Sequence, residues 1–230
     1  MSIDEYVNGF GEQGSQEEKE IEVVRNPRVD EICRRYEGWI SRLIAHDKDI
    51  IYHKALEFIK SLQPTAQDIK EFSLQLKQYE SIKKCFFITG FFLSALVNHS
   101  KESTFKIVTE LLDERVNCLG YELSDQKCIY VKGDVGDNIG EEMKRGFIHI
   151  MGNTEDRAGF NMQDGIIIIE RNAKKNSGIH MQGGHILIKG NAGEDLGKNM
   201  IGGRIEVNGE IGYISEDCRG EIYHRGKRIR

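Results

Sequence analysis

The sequence predicts an α+β chain in two parts, an N-terminal helical bundle followed by a right-handed parallel β-helix with nineteen-residue coils. Three observations carry that prediction. Of 25 glycines, 20 lie after residue 115, whereas Pro27 and Pro64 both lie before it. Methionines stand at 143, 162, 181 and 200, each nineteen residues after the last, and glycines at 140, 159, 178 and 197 and at 146, 165, 184 and 203 keep the same step. Within each unit the residues alternate, as in Phe147-Ile148-His149-Ile150, which is the period of a strand.

The first 25 residues carry seven acidic side chains against Lys19 and Arg25, with three glycines, and read as a flexible acidic arm. From Arg28 the spacing turns helical, with Ile32, Tyr36, Trp39, Ile40 and Leu43 recurring at threes and fours. A second helix is expected over 50–62, a third from Pro64-Thr65 to about Tyr79, and an apolar fourth from Ser81 to near Asn98. These form a helical module over 26–103. Phe105, Ile107 and Thr109 alternate like a strand, so an irregular first coil should open the β-helix, which occupies 104–230 with its core repeats at 127–210.

Within the repeats, Ile129, Ile148, Ile167, Ile186 and Ile205 form one aliphatic column, and Val131, Ile150, Ile169, Ile188 and Val207 another. A unit this small cannot bury its own apolar face, so the columns must stack into one continuous core. At ~4.8 Å per turn, about five turns would run roughly 25 Å. A left-handed hexapeptide helix needs a six-residue subperiod, which is absent. The methionines are expected to fill an internal corner, since stacked thioethers in an apolar core offer a metal ion no charge partner. Asn153, Asn172 and Asn191, preceded in register by Asp134, should bond along the axis as a ladder.

The segments Gly133-Asp-Val-Gly-Asp-Asn-Ile-Gly-Glu-Glu-Met-Lys-Arg-Gly146 and Gly190-Asn-Ala-Gly-Glu-Asp-Leu-Gly-Lys-Asn-Met-Ile-Gly-Gly203 resemble the GXGXG-type repeat of the C-terminal domain of the glutamate synthase large subunit. They are similar also to the GXGXG-repeat subunit of formylmethanofuran dehydrogenase. The resemblance covers about residues 127 to 210. It implies a right-handed parallel β-helix that holds other domains or subunits together while the chemistry sits elsewhere. No catalytic residue transfers from it, and the chain lacks the nucleophilic-cysteine domain, the flavin domain and the iron-sulfur cysteines of those families.

Several function classes are excluded or disfavoured. Residues 1–115 carry 16 Lys and Arg against 20 Asp and Glu, and the remainder 16 against 17, so neither half has the concentrated positive field that nucleic-acid binding needs. The basic run Arg225, Lys227, Arg228, Arg230 reads as a solvated, fraying end. The start has no signal-like apolar run, and Cys85 to Val97 is too short to span a bilayer, so a cytoplasmic protein is expected. Cys33, Cys85, Cys118, Cys128 and Cys218 include no CxxC pair and read as reduced packing thiols. Gly9-Phe-Gly-Glu-Gln-Gly14 spells GxGxxG but lacks the strand before it and the helix after it that a nucleotide site requires. No HExxH or GxSxG occurs, and the column Asp137, Asp156, Lys175, Glu194 is interrupted by a cation where a carbohydrate enzyme would want paired carboxylates. No cofactor, metal or catalytic residue is therefore expected.

If the Ile148 column faces inward, its neighbours face outward. Tyr130, Phe147, Ile166, Ile168 and Leu187 would then form an exposed apolar cluster, which marks an interface for a protein partner, a second copy or the N-terminal helices. The expected function is a non-catalytic scaffold that docks other domains or proteins, and the resemblance points to an oxidoreductase complex of glutamate synthase or formylmethanofuran dehydrogenase type. Replacing Ile168 with Lys should then weaken docking and leave far-ultraviolet circular dichroism unchanged. The alternative is an enzyme with a groove site between helical module and β-helix, around His149, His180 or His185.

Overall fold

The computed structural model describes residues 26–43, 47–82, 85–124 and 126–230. The acidic arm and its GxGxxG motif lie outside the described residues. Four helices precede a parallel β-solenoid of about five turns.

Helix α1 (Pro27–Arg42) starts where the sequence places it: the Asn26 side chain accepts from the Arg28 amide and proline occupies the first turn, where no intrahelical donor is lost. Its stripe Val29, Ile32, Tyr36 and Trp39 is buried. Helix α2 (Lys48–Ile59) is capped by Asp47, and α3 (Ala66–Gln75) by a reciprocal Thr65–Asp68 capping box, followed by a tight turn at Leu76–Tyr79. Helix α4 (Cys85–His99) is apolar on all sides because its central and later turns are enclosed: Phe91, Phe92, Leu93, Ala95, Leu96 and Val97 have no exposed surface, while Phe87 in the first turn is half exposed.

Eight strands follow in one sheet in chain order: β1 (Thr104–Val108), β2 (Cys128–Lys132), β3 (Phe147–Ile150), β4 (Ile166–Ile169), β5 (His185–Ile188), β6 (Arg204–Val207), β7 (Glu221–His224) and β8 (Lys227–Arg228). Strands β1 to β7 are parallel. From β2 to β6 the paired residues are nineteen apart, as in Cys128 with Phe147, Phe147 with Ile166, Ile166 with His185 and His185 with Arg204. A second line of parallel bridges joins Thr154, Ala173, Ala192 and Ile211, again nineteen residues apart, so successive laps pair at this corner as well as in the main sheet.

The side-chain columns interlock, which explains why they repeat. All four column methionines are buried, and each methyl group reaches a glycine of a later lap. A Cβ built on Gly165 would sit 2.6 Å from Met143 Cε, one on Gly184 2.7 Å from Met162 Cε, and one on Gly203 2.8 Å from Met181 Cε. Gly165 also has φ +105°, a conformation that side chains rarely adopt. Gly140 is keyed in the same manner to Ile167, whose Cδ1 would lie 2.5 Å from an added Cβ. The thioether column is thus a packing device in an apolar core.

The asparagine ladder forms, with side chains bonding mostly to backbone. The Asp134 carboxylate accepts from the Asn153 amide (2.7 Å), Asn153 Oδ1 from the Asn172 amide (3.2 Å), Asn172 Oδ1 from the Asn191 amide (2.8 Å) and Asn191 Oδ1 from the Glu210 amide (2.8 Å). Each link satisfies a corner amide that no sheet partner serves. Asn172→Ala should therefore cost about 1 kcal/mol, measured by urea unfolding; a loss near zero would show that water replaces the link without penalty.

Both ends of the solenoid are covered, as unpaired strand edges require. At the first end Ser94 Oγ of α4 accepts from the amides of Gly120 and Tyr121 (2.8 and 3.1 Å), and Ser73 Oγ of α3 accepts from the Val108 amide of edge strand β1 (3.0 Å). At the other end the chain turns back: β8 pairs antiparallel with β7, and Arg230 Nε donates to the Cys218 carbonyl (2.8 Å). This corrects the reading of the basic run as a fraying end. Its backbone is spent on closing the last coil.

Candidate functional site

The outer face of the sheet gathers the residues that the sequence selects. Strand alternation places Tyr130, Phe147, Ile166, Ile168 and Leu187 outward, and the registers Phe147↔Ile166 and Ile168↔Leu187 bring them together. They are more enclosed than expected. Phe147, Ile168 and Leu187 are 4%, 0% and 8% exposed and form a second small core, against which Cys128, Tyr130 and Ile166 pack as half-buried neighbours. The Tyr130 ring stands 5.6 Å from Phe147 and 5.9 Å from His149, so aromatic side chains of the same face roof the cluster. Lysine at Ile168 would consequently bury an ammonium and unfold the sheet, and it cannot report on docking alone.

A charged border flanks the cluster. His149 donates its Nε2–H to Glu170 Oε1 (2.6 Å), and Lys189 Nζ lies 2.8 Å from the same oxygen. Burial raises the Glu170 pKa, but the bonds from Lys189 and His149 outweigh it and hold the carboxyl below its ordinary range, so Glu170 accepts from both. Further along, the Arg204 guanidinium lies 3.7 Å from the Tyr223 ring centroid and bonds Glu206 at 2.7 Å. Burial, and then the nearby Arg204 charge, push His185 down toward the neutral form.

The three histidines of the alternative reading do not assemble. His149 and His185 share the outer face but lie two strands apart, on β3 and β5. His180 sits at a corner with φ +56°, its ring edge-on to Phe160, in a position that serves the turn. No serine or cysteine is bonded to His149, and no group of three His, Cys, Asp or Glu side chains could hold a metal ion, among the described residues. Burial and then the Glu141 charge push the Cys118 thiol up to about 12, which keeps it protonated and a poor nucleophile.

A groove of about 570 Å³ does lie between the helical module and the solenoid. Helix α3 contributes Lys70 and Leu74 to one wall, β1 and the following turn contribute Lys106 and Leu111, and Tyr130, Phe147, His149 and Ile168 form the floor. Both sequence readings therefore converge on neighbouring surface, while Ile166 and Leu187 lie outside the groove lining. Sequence reasoning missed the helical wall. Its one signal was Leu74, a leucine off the buried stripe Ile69, Phe72 and Leu76. Among the described residues no helix is long and apolar enough to cross a membrane. No protein-family model, no curated protein and no solved structure matches the chain.

Proposed function

We propose that the chain is a non-catalytic cytoplasmic scaffold, a right-handed β-helix of nineteen-residue coils that docks a protein partner, or a second copy of itself, on the outer face of its sheet. One observation carries the reading: an apolar cluster on the side of the sheet away from the main core, with half-buried Tyr130 and Ile166 at its surface and a charged border around it. A hydrophobic centre with a polar rim is the anatomy of a protein interface. Parallel ladders along the axis and interlocked columns supply the rigidity that a scaffold needs. The resemblance to the GXGXG repeats of glutamate synthase and of formylmethanofuran dehydrogenase supports a role beside an oxidoreductase.

The test is a pull-down from native cell extract with the full chain, comparing wild type with Ile166→Arg. A defined co-purifying chain, or self-association, should weaken about tenfold or more in the variant while its thermal midpoint stays within ~3 °C. Equal recovery by both proteins would remove the docking face. The second reading, an enzyme in the groove, is favoured by the His149–Glu170 pair. His149→Ala would abolish turnover on that reading, whereas on the first the wild-type chain has no turnover to lose.

A further inference from the structure

The groove between α3 and the sheet has properties that the docking reading does not use. Its volume, about 570 Å³, falls in the range of small-molecule sites. Three large apolar side chains open onto it: Leu74, Leu111 and Met151, at 40%, 57% and 48% exposure. They belong to three separate segments, a helix, the turn after β1 and the bend after β3, so their convergence is a property of the assembled groove. The floor beneath them, Phe147 and Ile168, is closed and apolar. Such a concave surface gains free energy by covering its apolar area.

Charge selects the class of ligand. Lys70, Lys106 and Lys132 line the groove against one carboxylate, Glu110, which pairs with Lys132 at 2.7 Å. Lys70 and Lys106 have no carboxylate within ion-pair distance among the described residues. They stand on opposite elements, α3 and β1, which Ser73 ties together through its bond from the Val108 amide. The surplus of positive charge is local, because the whole chain carries a formal charge of -5.

We propose that this groove binds a small soluble amphiphilic anion, with an acyl or aryl body lying over Phe147 and Ile168 and a carboxylate held between Lys70 and Lys106. Ammonium groups aimed at one ligand oxygen pair give charge-assisted bonds, and the apolar body covers Leu74, Leu111 and Met151. The groove shares Tyr130, Phe147 and Ile168 with the docking face, but Ile166, the residue that tests docking, does not line it.

The experiment is isothermal titration of the full chain with dodecanoate below its micellar concentration, beside dodecyltrimethylammonium as a tail of the same length and opposite charge. Dodecanoate should saturate one site per chain, and the cation should bind at least tenfold more weakly. Lys106→Glu, at an exposed position, should weaken dodecanoate tenfold or more. Ile201→Glu, at an apolar position 64% exposed and outside the groove lining, should leave binding unchanged. In a flotation assay the chain should stay behind when phosphatidylglycerol vesicles rise. Non-saturable uptake, equal affinity for the cation, an equal loss in Ile201→Glu, or co-flotation with the vesicles would each overturn the site. Ile166→Arg keeps dodecanoate binding, so failure of docking and failure of the groove are read separately.

Discussion

Replacing Gly90 with alanine is expected to lower stability by about 3 kcal/mol or more, although alanine is the better helix former by ~1 kcal/mol. The sign is set by tertiary contact. Gly90 lies in the middle of α4, pressed on the first coil, and a Cβ there would collide with the Asn117 carbonyl and sit 2.6 Å from Leu119 N and 2.7 Å from Cys118 C. Those are backbone atoms, so relief requires α4 to move away, which pulls Ser94 from the Gly120 and Tyr121 amides and Asn98 from the Tyr121 and Glu122 carbonyls. Calorimetry should show a midpoint lower by roughly 6–12 °C. Gly38→Ala is the control, because its Cβ would meet Phe58 Cε1, the edge of a ring that can shift, at 3.3 Å. It should change stability by less than ~1 kcal/mol. An unchanged midpoint for Gly90→Ala would mean that α4 is not seated on the coil.

Lys48→Met should cost about 3–5 kcal/mol at pH 7, the loss typical of stripping one partner from a buried ion pair. Lys48 Nζ reaches both carboxylate oxygens of Glu141, at 2.6 and 2.7 Å, across the boundary between α2 and the second coil. Glu141 is 3% exposed in its side chain. Burial raises its pKa above the ordinary 4.5, and Lys48 opposes that rise. A carboxyl whose folded value is raised contributes stability that is present below pH 4.5 and lost as pH climbs through the raised value. Without Lys48 the folded value rises further, so the cost of the variant should be full at pH 7 to 8 and shrink as pH falls toward 4.5. Urea unfolding at pH 5 and pH 8 measures this, and a pH-independent cost would show that the effect is packing. Adding Glu141→Leu should recover most of the loss, since the buried charge then goes with its partner.

The repeats were legible because one contact recurs in register. Met143 meets Gly165 as Met162 meets Gly184, so the physical demand at each lap selects the same residue types. Legibility fails where the step changes. Thr104 pairs with Cys128 at a distance of 24 residues and Arg204 with Glu221 at 17, so neither the first strand nor the closing coil carries the nineteen-residue signature. The alternation at Phe105 and Ile107 still marked β1 as a strand. Alternation alone places the outer cluster, and it assigns a side of the sheet and not a degree of exposure. Tyr130 and His149, long side chains on the same side, decide the exposure of Phe147 and Ile168. The groove depends on where α3 comes to rest, and that is set by the packing of Ile69 and Phe72 into the core and by the Ser73 hydroxyl meeting an edge amide, contacts with no periodic trace.

The keyed methionines and isoleucines bear on how such a chain can change length over time. Met143, Met162 and Met181 each engage a glycine 22 positions ahead, and Gly140, Gly159 and Gly178 each an isoleucine 27 ahead, so these three laps are locked to their successors by two spans of different reach. Loss or gain of one residue within a lap would shift both locks out of phase at once, whereas tandem duplication or excision of a complete unit returns each sulfur and each glycine to an equivalent mate. Growth by whole units is therefore the route that the architecture leaves open.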